Sequence, residues 1–511
     1  MKKSALPTAL LAVLVFFQLA SIVIGNGRLA YSLDDAYIHL TLAESIAEGT
    51  YGINAGESSS PSSSILWPFL LVPMIPFAVA DWWPLLLATA AAFGSLAVYR
   101  RLLRTCGGAL DDEQPLQLIL LLLLIPGTSL VGLLFTGMEH SLHQLVTALA
   151  VLGAVQEIHS GRASRWLWFV LFLGPMVRFE GLAVSVPILL FLLMRGHRRA
   201  AILTGVAIAA GVGAFAGFLV SLGLAPLPAS VSTKSLLFWQ GISLASLGES
   251  ILTNLGGLQG DFLAIAGLLL LTAGLRKSRP AAERWLATCS FGSVALHLVF
   301  GKLGWYHRYE AYIWTFAVLM LIYLFRETLK VRLETDGLGA IALALILLTA
   351  LSCRGYLRAL VTTPQAATNI YEQHYQMHRF VTEHLQAPVA VNDIGWVAYR
   401  NPHYVLDVFG LASTDVLKAR REGGTRWIAD LVQSHGVECA MIYNRWYEIP
   451  RGWVKLAELE IQGELITPAF KTVTIYATQP AAARPILAHL LAWQQGLPDP
   501  EMLTITVKPP I

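Results

Sequence analysis

Long apolar segments recur along this chain, and they constrain its fold more than any other feature. Residues 6–25 contain no charged side chain. At 1.5 Å of rise per residue, a helix of this length crosses the roughly 30 Å hydrocarbon core of a bilayer. Lys2 and Lys3 precede the segment, so we expect a retained signal anchor with a cytoplasmic amino end. The chain is 55% hydrophobic and 14% charged over 511 residues, which predicts an α-helical polytopic membrane protein.

Ten further apolar segments bring the predicted number of transmembrane helices to about eleven, with a range of 10–13. They cover residues 84–103, 116–135, 141–158, 166–177, 182–194, 200–224, 258–275, 285–300, 311–325 and 338–352. The proline-containing stretch 65–80 is predicted to be interfacial, because counting it as a span would place Arg100, Arg101 and Arg104 outside. Loop 26–83 and the C-terminal part are then extracytoplasmic.

The chain changes character after residue 352. Helix-like and strand-like patches alternate from there on, among them "APVAVND", "VECAMIY" and "TVTIYAT". We therefore predict two domains, a transmembrane domain over 1–352 and a small extracytoplasmic α/β domain over 353–511. The net charge of +3 is explained by Lys and Arg at cytoplasmic helix ends, so no nucleic-acid partner is expected. Four scattered cysteines have neither metal-ligand nor disulfide spacing, and no metal site is assigned.

Charged residues inside the predicted membrane profile are the first candidates for a functional site. Arg178 and Glu180 lie at the tip between the short segments 166–177 and 182–194. An ionised side chain at that depth costs a few kcal/mol unless it is solvated or paired. A polar cavity that opens outward is one interpretation, and a mutual salt bridge between the two helices is the other.

Further polar groups fall in the predicted outer turns. They are Glu139 and His140 in "FTGMEHSLH", Lys234 in "LPASVSTKS", and His307 and Arg308 in "GKLGWYHRYEAY". Each turn alone could be an ordinary solvated loop or an interfacial belt of aromatic and cationic residues. Their occurrence on one side of the membrane favours a common site.

Two adjacent carboxylates, Asp34 and Asp35, open the first outer loop in "YSLDDAYIHL". Apolar residues at helical spacing after Asp35 predict an amphipathic helix that lies on the outer surface and ends near Gly49. The helix dipole would favour the ionised carboxylates at its N-terminus. Simple N-capping is the alternative.

The order of several motifs resembles a known superfamily. They are "DDAYI" after the first span, the Ser-rich stretch before "LWP", "TGMEHSL", "VRFEGL", "PLPASVSTK", "HRYEAY", and "VNDIGWVAYRNPHYVLDVFGLAS" in the tail. The chain resembles the GT-C polyprenyl-phosphate-dependent glycosyltransferases, and within them most resembles the terminal arabinofuranosyltransferases. "RFEG" and "SVST" depart from the usual family pattern, and the second departure leaves sugar selectivity open.

The resemblance implies an inverting glycosyltransferase in the bacterial inner membrane, with its C-terminal domain in the periplasm. The donor would be a polyprenyl-phosphate-linked sugar, and the acceptor a hydroxyl of a glycan, lipid or protein. Asp34 matches the family's general base, and Asp35 would assist it. Donor or acceptor binding is expected for Glu139, His140, Arg178, Glu180, Lys234, His307, Arg308 and Asp393.

Three other functions remain open at this point. A transporter or lipid flippase would also need many spans and buried charge. A ligase that uses a diphosphate-linked oligosaccharide would place a divalent cation between acidic residues, for which Asp35 and Glu139 are available. A non-catalytic sensor with a binding tail leaves the Arg178–Glu180 tip without a role.

Overall fold

A computed structural model describes residues 5–111, 114–234, 241, 243–423 and 426–506. Its larger part is helical, and a smaller part near the C-terminus contains a six-stranded sheet. The helices of the first part are α1 Leu6–Asn26, α2 Asp35–Ala47, α3 Trp67–Leu71, α4 Trp83–Cys106, α5 Pro115–Gly127, α6 His140–Ser160, α7 Arg165–Val177, α8 Leu182–Met194, α9 Arg198–Ser221, α10 Ala229–Lys234, α11 Leu244–Leu255, α12 Leu258–Leu275, α13 Ala281–Phe300, α14 Ala311–Leu324 and α15 Arg326–Ser352.

The apolar helices follow the predicted segments closely. In the described part of the chain, six are long and apolar enough to cross a membrane: Leu6–Asn26, Ala80–Cys106, His140–Ser160, Arg198–Ser221, Leu258–Leu275 and Arg326–Ser352. Four shorter apolar helices accompany them, including α7 and α8 on either side of the predicted tip. Within α15 the backbone breaks at Gly337, where φ is 79°, so the predicted segment 338–352 is its apolar second half.

Two predicted segments differ from the structure. Most of the second half of 116–135 is not α-helical: α5 ends at Gly127, just after Pro126, and buried turns and a 3₁₀ turn at Leu134–Thr136 follow. Proline cannot donate to the helical ladder, and Ser129 adopts a left-handed φ of 55°. The stretch 65–80 is divided into α3 and a 3₁₀ turn, Val72–Met74, rather than forming one interfacial helix.

Helix α16, Arg354–Ile370, connects the two parts of the molecule. Tyr356, Ala367 and Ile370 belong to the same apolar core as α1 and α4–α8, so this helix packs with the part that precedes the predicted boundary at 352. The chain then continues as helical turns through Tyr371–Tyr375, Gln376–Arg379 and Phe380–Leu385 before it enters the sheet domain.

The sheet has the strand order β2-β1-β3-β5-β4-β6. Its strands are β1 Val389–Val391, β2 Val405–Asp407, β3 Cys439–Ile442, β4 Val454–Glu460, β5 Thr472–Ala477 and β6 Leu503–Ile505. Strands β1, β2 and β3 are parallel, and the remaining pairs are antiparallel. The helices are α17 Gly395–Ala398, α18 Thr414–Glu422, α19 Trp427–Ser434 and α20 Pro480–Gln494. The predicted α/β character of the tail is confirmed.

Helix α2 is buried, which corrects the prediction of an amphipathic helix on the outer surface. Every residue from Ala36 to Ala43 is buried. Leu40 belongs to the core of the helical part, Ile38 to the core of the sheet domain, and Leu42 to a third cluster with Phe215. The apolar residues predicted along this helix therefore contact protein on several sides. The reason is that the tail packs over the side of α2 that was predicted to be exposed.

Candidate functional site

Asp35 and Arg308 form an ion pair at the centre of the site. Asp35 is the first residue of α2, and its side chain is 19% exposed. Arg308 precedes α14, is buried, and donates from one terminal nitrogen to Asp35 Oδ2. It also donates to the Tyr309 hydroxyl at 3.0 Å, and within the described ranges its Nε has no hydrogen-bond partner. A partly exposed carboxylate thus lies against a buried cation.

A second acid–arginine cluster lies near the first. Arg178, which the tip between α7 and α8 presents, donates to Glu139 and, at 2.7 Å, to Glu180. Glu139 is fully buried, and its other oxygen lies 3.6 Å from His39 Nε2. The salt bridge that the sequence left as an alternative is therefore formed, and it extends to Glu139.

Buried imidazole and phenol rings join these clusters. His140 lies edge-on to Tyr309, and His143 stacks on Tyr312 with ring centroids 4.2 Å apart. The Tyr312 hydroxyl donates to the Glu180 carbonyl oxygen at 3.0 Å and contacts His297 Nδ1 at 2.9 Å. The Nε2 atoms of His140, His143 and His297 are buried and have no hydrogen-bond partner among the residues that the structure describes. Such atoms are unusual inside proteins and are typical of a space that takes up water or a polar ligand.

Asp34 has a different environment from Asp35. Its carboxylate accepts hydrogen bonds from the backbone N–H groups of Gly395 and Trp396, at 2.7 and 2.8 Å. Asp34 has helical φ and ψ and makes no side-chain cap on α2, so the simple N-cap predicted as an alternative does not form. Instead it binds the start of α17 in the tail. Tyr37 stacks on Trp396 beside it, with centroids 3.9 Å apart.

The surroundings of Asp34 perturb its pKa. Burial raises it from 3.8 to about 6, the nearby Asp393 adds to that increase, and His374 and the two N–H groups oppose it. Burial alone would lower the pKa of His374, but the carboxylates of Asp34 and Asp393 raise it above its usual value. A base that is already occupied by two backbone donors is poorly disposed to accept a substrate proton.

Asp393, which the resemblance gave as a binding residue, follows β1 at the end of the strand. Its Oδ2 lies 3.3 Å from His374 Nε2 and accepts from Asn392 Nδ2 at 3.0 Å. The Asn392 side chain also accepts from the N–H of Tyr443, which follows β3. Strands β2 and β3 flank β1 on opposite sides, so Asp393 lies at the topological switch point of the parallel strands, where α/β proteins commonly bind ligands.

The remaining predicted site residues lie further from this centre or outside the description. His307 is one-third exposed and contacts Glu310 at 2.9 Å through Nδ1. Lys234 ends the short helix α10, and its side chain lies outside the part of the chain that the structure describes. Within that part, no group of three or more His, Cys, Asp or Glu side chains is placed to hold a metal ion.

Sequence reasoning missed His39, His297 and Tyr312. His39 lies one helical turn after Asp35 and therefore on the same face of α2. That spacing is a usable indication. His297 and Tyr312 lie within apolar segments, where nothing in the local pattern distinguishes them from core residues.

Comparisons with known proteins match the tail and, more remotely, the whole chain. A family model described as a domain of unknown function (DUF8728) matches residues 368–476. No curated protein matches the chain. Among solved structures, the oligosaccharyltransferase of Archaeoglobus fulgidus in its apo form is similar, with a TM-score of 0.43 and 12% identity, covering 93% of this chain and 75% of that chain.

Proposed function

We propose that this chain is a membrane-bound inverting glycosyltransferase that transfers a sugar from a polyprenyl-phosphate donor to an acceptor hydroxyl on the periplasmic face of the bacterial inner membrane. The observation that carries the proposal is the pairing of Asp35, a partly exposed carboxylate, with the buried Arg308. The reaction needs a proton acceptor on one face of the anomeric carbon and a cation for the departing phosphate on the other, and both kinds of group are present together in this part of the molecule. The resemblance of the sequence motifs supports the lipid-phosphate donor, with arabinofuranose as the sugar that this resemblance suggests.

The proposed reaction is a single displacement. Asp35 removes the proton of the acceptor hydroxyl as its oxygen bonds to the anomeric carbon of the sugar. The bond from that carbon to the phosphate oxygen breaks on the opposite face, its electron pair leaves with polyprenyl phosphate, and the configuration inverts. A positioned base contributes about 10²–10⁴-fold to such a step. Arg308 stabilises the departing phosphate, which gains negative charge in the transition state.

The two aspartates therefore receive different roles. Asp35 is assigned as the base in place of Asp34, because the Asp34 carboxylate is engaged by Gly395 and Trp396. In this proposal Asp34 anchors the tail above the site and brings Asp393 near it. The acceptor would then pass between α2 and the carboxyl ends of β1 and β3, where Asp393 can bind one of its hydroxyls.

Arg178 is neutralised by Glu139 and Glu180, so we assign it to orienting Glu139 rather than to binding the donor phosphate directly. Glu139 and His140 then supply polar contacts at the floor of the site. Lys234 remains a proposed ligand of the donor phosphate, and His307 remains a proposed donor- or acceptor-binding residue.

The test uses purified protein, a polyprenyl-phosphate sugar and a panel of acceptors, with release of polyprenyl phosphate as the readout. Asp35→Asn should lower kcat by about 10²–10⁴-fold, whereas Asp415→Asn, at an exposed carboxylate of the tail, should be silent. Full activity of a folded Asp35→Asn variant contradicts the assignment. Activity with diphosphate-linked donors only, or transport of the lipid without release of polyprenyl phosphate, contradicts the proposed function.

A further inference from the structure

The turn in front of Arg308 has an unusual backbone. Gly304, Trp305, Tyr306 and His307 have φ values of 88°, 45°, 65° and 56°. Four successive residues thus lie in the left-handed region, which residues other than glycine enter rarely and usually singly. Three of the four residues carry side chains. At each of these three, the side chain lowers the population of the left-handed conformation by a factor on the order of ten. Surrounding contacts must therefore hold the turn in place.

Those contacts come from both sides of the turn. The buried Glu310 carboxylate accepts from the Gly304 N–H at 2.9 Å and contacts His307 Nδ1 at 2.9 Å. On the other side, the Tyr306 hydroxyl donates to the Ala359 carbonyl oxygen at 2.9 Å and contacts Thr363 Oγ1 at 2.8 Å, both on α16. The turn is fastened to the start of α14 and to the helix that leads into the tail.

The position of His307 also depends on a missing side chain. A Cβ on Gly355 would lie 2.3 Å from His307 Nε2, a separation that no side chain permits. Glycine at this place in α16 therefore allows the left-handed turn to pack closely against the helix.

The strained turn ends at Arg308. In the proposed reaction the Arg308 guanidinium has two alternative partners, the Asp35 carboxylate and the donor phosphate. In this structure Arg308 neutralises Asp35, and a carboxylate paired with arginine is a weaker base than a free one. The donor phosphate needs the same guanidinium. Phosphate competes well for it, because a guanidinium binds phosphate through two parallel hydrogen bonds.

We propose that the turn 304–307 relaxes when the donor phosphate binds, so that Arg308 moves from Asp35 to the phosphate and Asp35 becomes free to accept the proton. This inference rests on the proposed function and adds an order to it, in which the base is released only after the donor has arrived. Glu310 and Tyr306 are positioning residues that hold Arg308 against Asp35 until then. Strain in the resting turn lowers the cost of the movement.

Trp305 provides a test that separates strain from side-chain loss. Its side chain is 47% exposed, and both Trp305→Gly and Trp305→Ala remove the ring. Glycine tolerates the left-handed conformation and alanine does not. The glycine variant should therefore stabilise the resting turn, unfold at a higher temperature than the alanine variant, and bind decaprenyl phosphate in nanodiscs about fivefold more weakly. KM for the donor should rise by the same factor, with KM for the acceptor unchanged.

Gln386 supplies the matched control. It has a left-handed φ of 49° at the end of a helix in the tail, so Gln386→Gly should also exceed Gln386→Ala in unfolding temperature while leaving decaprenyl phosphate binding unchanged. Equal affinities in the two Trp305 variants, in a protein that transfers sugar, overturn the inference and leave the proposed function standing. If the wild-type protein neither binds decaprenyl phosphate nor releases polyprenyl phosphate from a lipid-phosphate-linked sugar, both are overturned.

Discussion

Asp34 should anchor the tail to the helical part, and Asp34→Ala tests this directly. The substitution removes the acceptor of the Gly395 and Trp396 N–H groups. A buried donor left without a partner costs about 1–3 kcal/mol. Burial raises the pKa of Asp34 to about 6, so burying its ionised carboxylate has a cost. The substitution removes this cost, which offsets part of the loss of two such bonds. We therefore expect a net loss of about 2 kcal/mol in the docking of α17.

Amide hydrogen exchange of the purified protein measures this loss at the residues concerned. A reduction of about 2 kcal/mol corresponds to roughly 30-fold faster exchange at the amides of 395 and 396. Asp415→Ala, at an exposed carboxylate of α18, should leave these rates unchanged. Gly395→Ala should have a larger effect than Asp34→Ala, because its Cβ would lie 2.1 Å from the Asp34 carbonyl oxygen.

Unchanged exchange at 395 and 396 in a folded Asp34→Ala protein would refute this reasoning. It would mean that the stacking of Tyr37 on Trp396 and the apolar contacts of α2 hold the tail without the carboxylate. Asp34 would then be available for chemistry, and the assignment of Asp35 as the base would lose its main argument.

Three further predictions follow from the same contacts. Folding raises the pKa of Asp34, so this residue contributes fully to the free energy of unfolding below pH 4 and loses that contribution as the pH rises through about 6. The free energy of unfolding should fall by at most about 1.4 kcal/mol per pH unit in this range. Asp34→Asn should flatten the pH dependence there, measured by thermal unfolding at a series of pH values. Arg178→Met should cost about 3–5 kcal/mol by leaving Glu139 buried without its cation, and adding Glu139→Gln should recover part of that loss in denaturant unfolding. Gly137→Ala should reduce the yield of folded protein, because φ is 66° there and the new Cβ would lie 2.6 Å from the Ala36 Cβ; equal yields would contradict this packing.

The positions of the apolar helices and the alternating character of the tail were predictable from the sequence. Both depend on hydropathy and periodicity within about twenty residues, which are local properties of the chain. The limits of that reasoning are visible at α5, where a continuous apolar run predicted a helix through residue 135 but Pro126 ends it near Gly127. Hydropathy does not distinguish a buried turn from a buried helix.

The sequence also predicted a common site for Asp35, Glu139, Arg178 and Arg308, and the structure places both arginines beside the Tyr309 ring. Only the tertiary structure determined their partners. Asp35 pairs with a residue 273 positions away, and Asp34 binds backbone donors more than 360 positions away. Such pairs depend on how the tail packs against α2. The periodicity of a single segment contains no information about this packing. The adjacent aspartates have different environments, because Asp35 contacts a cation and Asp34 lies under the tail. This difference arises only when the chain folds.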